Sequence, residues 1–477
     1  MGTRRLPAVV AATFVVAAVV VTACSPSNGA TLSSLSARPT TVTDSLTAGA
    51  AGIGDPDFPY DGNGGYDVAH YELTLAYDPA ANRLSGTAVV SAKTTQDLTQ
   101  FNLDLHGMTV SRVTVDGQNA RFSRDADELT VFAQLQNARP FEVAVAYAGE
   151  PEPVRGSPNL GTYGFARSKD GVFVAAEPDG AKTWFPANDH PADKAAYDFT
   201  ITVPSGLTAI ANGELVGDPV QGDGTVTYHW RERHPMASYL ATMTSGRFEV
   251  KTGASPGGIP VYAAVDPQFS DALDKLYSLS GQITDYWSEV FGPYPFSSTG
   301  GIIDDFAAGY ALETQTKPEY GGFDPDEAII AHELAHQWFG DSLSIKRWKD
   351  LWLNEGFATY AEWLWGEHTG GRTAAQAFQS AYSSASDAIW NYPPGIAQRN
   401  DLFNGSVYTR GGMALHELRA TIGDTTFFAL IKKWTHDHRY GNVTTDEFIA
   451  LAEKMSGKDL TDLFGKWLFQ KGRPSII

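Results

Sequence analysis

His332, Glu333 and His336 form an H-E-x-x-H pattern, and Glu355 follows nineteen positions after His336, in the run Asn354-Glu355-Gly356. Residues four apart on a helix share a face, so both imidazoles can reach one metal ion. Zinc takes imidazole nitrogen and carboxylate oxygen, and a catalytic site keeps three protein ligands and one position for water. His332, His336 and Glu355 supply those three ligands. Glu333 adjoins a ligand but is rotated off the ligand face, which leaves it as a base. The chemistry open to such a set is hydrolysis at a carbonyl polarised by the ion.

Two helices must position these groups. Asp324-Pro325-Asp326-Glu327 reads as a helix start, with Asp324 as N-cap, Pro325 at the first helical position and Glu327 closing a capping box. Ile330, Leu334 and Trp338 then repeat at helical spacing, and Gly340 reads as a stop. A second helix is predicted through Leu353, Phe357, Tyr360, Ala361 and Leu364, with Glu355 near its start. Taken alone, the histidine motif is open to another reading, an ordinary amphipathic helix with two histidines. The distant Glu355 in its Asn-Glu-Gly context and the helix start oppose that reading.

The runs HELAHQWFGDSL (332–343) and LWLNEGFATYAEW (351–363) resemble the aminopeptidase N-type gluzincin family of zinc metallopeptidases, which is related to leukotriene hydrolase. Three further stretches are similar to it. Ala311-Leu312-Glu313-Thr314-Gln315 stands where the family has a G-x-M-E-N exopeptidase motif. Residues 177–194 resemble the family run ending in F-P-C-x-D-x-P-x-x-K, and Val407-Tyr408-Thr409-Arg410-Gly411 resembles the segment with the family's tyrosine. The resemblance implies one zinc ion per chain and peptide substrates with a free N-terminus. It also implies Tyr408 as oxyanion donor, and Glu313 and Glu177 as carboxylates that bind the substrate amine. The exopeptidase motif is altered, with Tyr310 for Gly, Leu312 for Met and Thr314 for Asn, so a changed first pocket is expected. Arg410 is expected to be a structural or screening charge. Trp338, Trp352, Trp363 and Trp365 read as core, and His190, His436 and His438 as residues without a ligand role.

The 477 residues carry 35 basic and 55 acidic side chains, a formal charge of -20 that disfavours nucleic acid and anionic lipid as partners. Aromatic content of 12% argues for a packed globular chain. Arg4 and Arg5 precede an apolar run from Ala8 to Val21, too short for a confident membrane span. The run closes in Val21-Thr22-Ala23-Cys24, which resembles a lipoprotein cleavage site. Residues 1–23 are therefore expected to be a signal peptide, and Cys24 a lipid anchor on the outer face of the cell membrane. If Cys24 is not lipidated, the protein is secreted. Cys24 is the sole cysteine, so no internal disulfide is expected.

Residues 24–55 are rich in Ser, Thr, Gly and Ala and read as a flexible linker. Residues 56–252 alternate as strands do, as in Tyr71, Leu73, Leu75 and Tyr77, or Phe141, Val143, Val145 and Tyr147. Val115-Asp116-Gly117 and Ala211-Asn212-Gly213 read as hairpin turns. Residues 253–477 turn helical, with Leu273, Leu276, Ile283, Trp287 and Val290 on one face. The fold class is a multi-domain α+β chain, an all-β domain followed by a mainly helical one. The resemblance implies a saddle-like first domain and a thermolysin-like second. Only Ser475, Ile476 and Ile477 follow the stretch that resembles the close of the catalytic domain, so an open active site is expected. The leading expectation is a zinc aminopeptidase. An endopeptidase of broader scope and a non-catalytic peptide-binding lipoprotein are the alternatives.

Overall fold

Period-two burial organises the first half of the chain. The computed structural model describes residues 47–158 and 160–476, so the expected leader and Cys24 lie outside the described residues. In Tyr66–Asp78 the side chains of Tyr71, Leu73, Leu75 and Tyr77 are buried, and those between them are exposed. This strand pairs antiparallel with Arg83–Thr94, which in turn pairs with Pro140–Gly149. On its other edge it runs parallel to Lys194–Pro204, which pairs antiparallel with Thr225–Ala237. These long strands form the spine of a nine-stranded sheet. Across its face Tyr197 stacks on Tyr71 and Phe199 at centroid distances of 4.9 and 5.6 Å. A four-stranded sheet built on Leu98–Asp104 and Glu128–Leu135 covers part of the same core, and a five-stranded sheet holds Gly161–Arg167 and Val172–Ala175.

One expected hairpin forms and the other does not. Asp116 and Gly117, with φ of 49° and 76°, join Thr109–Val115 to Gln118–Asn119, as a primed two-residue turn requires. The strands flanking Ala211-Asn212-Gly213 pair with other partners, Thr208–Ala209 with Ser245–Gly246 and Glu214–Leu215 with Thr225–Ala237. Asn212 is fully buried there, and its amide donates to the carbonyls of Leu240 and Gln315 at 2.8 and 2.9 Å. A tertiary demand has displaced the local turn.

Two boundaries also differ from the sequence reading. The chain is tied down well before residue 55: Thr47–Ala48 pairs with Leu98–Asp104, and buried Asp55 accepts from the Trp348 N–H at 2.8 Å. At the other end of the β part, Glu249–Ala254 spans the expected boundary at 252. It pairs with Pro260–Val265 in a separate sheet that continues through Thr299–Asp304, Glu319–Gly321 and Ala311–Leu312.

Against this last sheet pack the helices that carry the site. Helix α1 (Leu273–Val290) buries Leu276, Ile283 and Trp287, and the Trp287 indole N–H donates to the Ala331 carbonyl of α2 (Glu327–Ala335) at 3.2 Å. Helix α2 is capped by Asp326, whose side chain accepts from the Ile329 N–H at 2.9 Å; Asp324, the expected cap, instead pairs with Lys275. The helix ends at Ala335, before Gly340, and the chain then turns so that Phe339 stacks on Phe357 of α3 (Trp352–His368) at 4.2 Å. Helix α3 is buried from Trp352 to Ala361, and Gly411–Ile422 lies beside it. A Cβ on Gly356 would stand 2.9 Å from the Gly411 carbonyl carbon, so two glycines let these backbones meet. Buried Trp338, Trp352 and Trp365 wrap the pair as expected, with Trp363 half-buried. The β part and the helical part belong to one compact unit. Among the described residues, no helix is long and apolar enough to cross a membrane.

Candidate metal centre

His332 and His336 stand one turn apart at the end of α2, and Glu355 enters from the first turn of α3. Glu355 Oε2 lies 3.3 Å from His332 Nε2 and 3.4 Å from His336 Nε2. Two ligands each about 2.0–2.1 Å from a tetrahedral zinc ion are about 3.4 Å apart, so both Glu355–His spacings match that ion. The far ring nitrogens are committed elsewhere. His332 Nδ1 lies 2.6 Å from Glu362 Oε1, and His336 Nδ1 lies 2.9 Å from the Phe339 carbonyl. Both partners accept, so both Nε2 atoms are free to present lone pairs towards one point. Burial alone would raise the Glu355 carboxyl, but the adjacent imidazoles outweigh burial and hold it below the ordinary carboxylate range.

The ligand set opens into a cavity of about 80 Å³ that also reaches Glu177, Glu313, Glu333 and Tyr408. Sequence reading placed all of these residues at one site, and they share one cavity. Glu333 is buried, and burial pushes its carboxyl up to about 7 despite the opposing imidazoles. Tyr408 belongs to the wide helical turn Ser406–Arg410, directly before the Gly411 that packs on Gly356. Its ring stacks on His332 at 6.2 Å and 18°. The same glycine contact therefore fixes Tyr408 relative to Glu355. Arg410 is structural as expected: fully buried, it donates to the carbonyls of Trp390, Trp467, Lys466 and Gln470.

Glu313 follows the edge strand Ala311–Leu312 and is held by Gln337, whose amide donates to its carbonyl at 3.2 Å, and by the Tyr239 hydroxyl at 3.4 Å. Glu177 comes from the β part. Glu177, Glu313 and Glu355 each offer an oxygen within 4.8 Å of the others. Glu177 Oε1 is buried with no hydrogen-bond partner among the described residues. Burial first, then the charges of Glu313, Glu355 and Glu333, push the Glu177 carboxyl well above the usual range. Among the described residues, no lysine or arginine lines this cavity. Four carboxylates around two imidazoles form a donor set that calls for a divalent cation and leaves negative charge to spare for a second cationic group.

Several contributors were not foreseen. Glu362 lies seven residues beyond Glu355 on α3, two turns along the same face, a spacing that could have marked it. The Phe339 carbonyl carries no side-chain signal. Leu160 and Phe403 form part of the apolar wall with Tyr310 and Leu312, and only the fold brings them together. His190 pairs with buried Asp55 at 3.2 Å and His436 is exposed beside Asp437, so neither is a ligand.

Comparison with known proteins agrees with this geometry. The peptidase family M1 domain matches residues 324–467, and the peptidase M1 N-terminal domain matches residues 68–240, together more than half of the chain. The fold is similar to the crystal structure of an M1 zinc metallopeptidase from Deinococcus radiodurans, with a TM-score of 0.81 and 27% identity, covering 89% of this chain and 98% of that one. A substituted form of that metallopeptidase bound to a Tyr-Ser-Ala substrate is matched with the same score over 89% and 99% of the two chains. Aminopeptidase M1-B of Oryza sativa subsp. japonica is 28% identical over 85% of this chain and 50% of its own length. Aminopeptidase N of Lactobacillus delbrueckii subsp. lactis is 25% identical over 85% and 51%. The chain thus spans about half the length of these curated relatives.

Proposed function

The chain belongs to the M1 family of zinc metallopeptidases, which implies one zinc ion, and from that premise we propose that it is an aminopeptidase removing N-terminal residues from peptides. The observation that carries the reading is the pair Glu177 and Glu313 in the same cavity as His332, His336 and Glu355. Two carboxylates with little polar satisfaction suit a substrate ammonium, which they would take through charge-assisted hydrogen bonds. That contact would fix the free N-terminus beside the metal ligands.

His332, His336 and Glu355 would hold the zinc ion, which would supply polarisation of the scissile carbonyl and a more acidic attacking water. Glu333 takes the proton from that water as its oxygen bonds to the carbonyl carbon. The Tyr408 hydroxyl donates to the developing oxyanion. Glu333 then delivers the proton to the leaving nitrogen as the C–N bond breaks. Glu362 and the Phe339 carbonyl keep the two imidazoles oriented throughout.

Hydrolysis of aminoacyl-arylamides by the zinc-loaded protein, set against their N-acetylated forms, tests the reading. Strong preference for the free amine is expected. Equal cleavage of both would replace it with an endopeptidase of broader scope, and no turnover with zinc bound would leave a peptide-binding role. Export with lipid anchoring at Cys24 is a further part of the proposal, resting on Arg4, Arg5 and the Val21–Cys24 run. The mass of the mature N-terminal peptide from membranes tests it.

A further inference from the structure

Glu177 lines the cavity, and two residues later Asp179 lies outside that lining in a buried cluster of charges. Asp179 Oδ1 accepts from the Tyr163 hydroxyl at 2.6 Å. Asp179 Oδ2 accepts from Lys182 Nζ at 3.0 Å and from Arg399 Nη2 at 2.7 Å. Arg399 Nη1 also lies 3.6 Å from Asp61 Oδ2, and the guanidinium sits over the Phe58 ring at 4.4 Å. Burial alone would raise the Asp179 carboxyl, yet Lys182 and Arg399 hold it at about 2, so it stays ionised.

The position of Arg399 gives this cluster its meaning. Arg399 opens the short turn Arg399–Asp401. Four residues later Phe403 lines the cavity, and nine residues later Tyr408 does. The Arg399–Asp179 pair thus joins the segment that carries an amine-side carboxylate to the segment that carries the oxyanion-side hydroxyl. Pro178, between Glu177 and Asp179, has its φ fixed by the ring. Asp179 and Glu177 are therefore joined by a short link with one torsion fixed.

Stability is a poor account of this pair. The Arg399 side chain is 47% exposed, so its ion pairs are screened and contribute little to folding. Without Arg399, Asp179 keeps Lys182 and Tyr163, and buried Asp61 loses one cation but keeps Lys182 at 3.4 Å. What the guanidinium adds is a fixed fork between two segments of the pocket.

We propose that Arg399 is a positioning residue for amine recognition: by holding Asp179 it sets Glu177 where, together with Glu313, it can receive the substrate ammonium. The proposal rests on the aminopeptidase reading above.

The test uses the zinc-loaded full chain with R399M, R399K, E177Q and the R399M/E177Q double variant, each on free and N-acetylated aminoacyl-arylamides. R399M is expected to raise KM for the free-amine substrate about tenfold, as a misplacement well under 1 Å would. Zinc content, kcat and the rate on the blocked substrate should change little, and R399K should recover part of the loss. In the E177Q background R399M should cost nothing further, because it acts through Glu177. Equal losses on free and blocked substrates, or losses that add to those of E177Q, would overturn the proposal. Should R399M fail to fold, R399K carries the same comparison. If the parent enzyme shows no preference for the free amine, the aminopeptidase reading itself fails. A parent that prefers the free amine, with R399M retaining that preference in full, removes the positioning role alone.

Discussion

Glu362 Oε1 lies 2.6 Å from His332 Nδ1, while the other ring nitrogen of His332 lies 3.3 Å from Glu355 Oε2. Helix α3 therefore grips the same imidazole from two sides, one turn-pair apart. Glu355 would share the ion with the ring, and Glu362 fixes which nitrogen the ring presents. An acceptor at Nδ1 also raises the basicity of Nε2 as a ligand.

Glu362→Ala should therefore weaken zinc binding by about 10- to 100-fold while leaving the fold intact. Glu362 is part-exposed, so its loss abandons no buried charge. Competition against a chelator of known affinity measures the effect. An unchanged zinc affinity would show that the His332 orientation is set by packing on Tyr408 alone.

Glu333→Gln keeps the size of the side chain but removes the proton acceptor. Turnover should drop by about 10²- to 10⁴-fold with zinc content preserved. Stopped assays at saturating substrate, paired with metal analysis of the same sample, separate loss of the base from loss of the ion. Undiminished kcat would mean that another group takes the proton.

Tyr408→Phe retains the ring against His332 and removes only the hydroxyl. Loss of one oxyanion donor is expected to lower kcat by about 10²- to 10³-fold with a small change in KM. A fall confined to KM would instead assign Tyr408 to ground-state binding.

The ligand set was legible because its chemistry is local: two histidines four apart on a helix, and a carboxylate at the start of the next. The long alternating strands were legible for the same reason, since burial of Tyr71, Leu73 and Leu75 writes a period of two into the sequence. What stayed hidden depends on distant segments. Asn212 reads as a turn residue because Asn-Gly is a hairpin dipeptide, yet it is spent on Leu240 and Gln315. Asp324 reads as the cap of α2, but it pairs with Lys275, and Asp326 caps the helix instead. Arg399 carries no motif, and its partner Asp179 lies 220 residues away.

Glu319 offers a test of burial rather than of chemistry. It is fully buried; Oε1 accepts from the Thr242 and Thr244 hydroxyls at 2.9 and 2.5 Å, and Oε2 has no partner among the described residues. Burial pushes its carboxyl up to about 8, against an ordinary value of 4.5, although the hydroxyls oppose the shift. Between those two values the folded chain holds a proton that the unfolded chain has released. By linkage, the contribution of Glu319 is fully present below pH 4.5 and is lost as pH rises through 8. Glu319→Gln removes the titration and keeps an oxygen for the two threonines. Thermal unfolding of parent and variant across this range should therefore show the variant gaining on the parent as pH rises, with the smallest difference at the acid end. A difference that stays constant with pH would mean that Glu319 remains ionised inside the fold, satisfied by its hydroxyl donors.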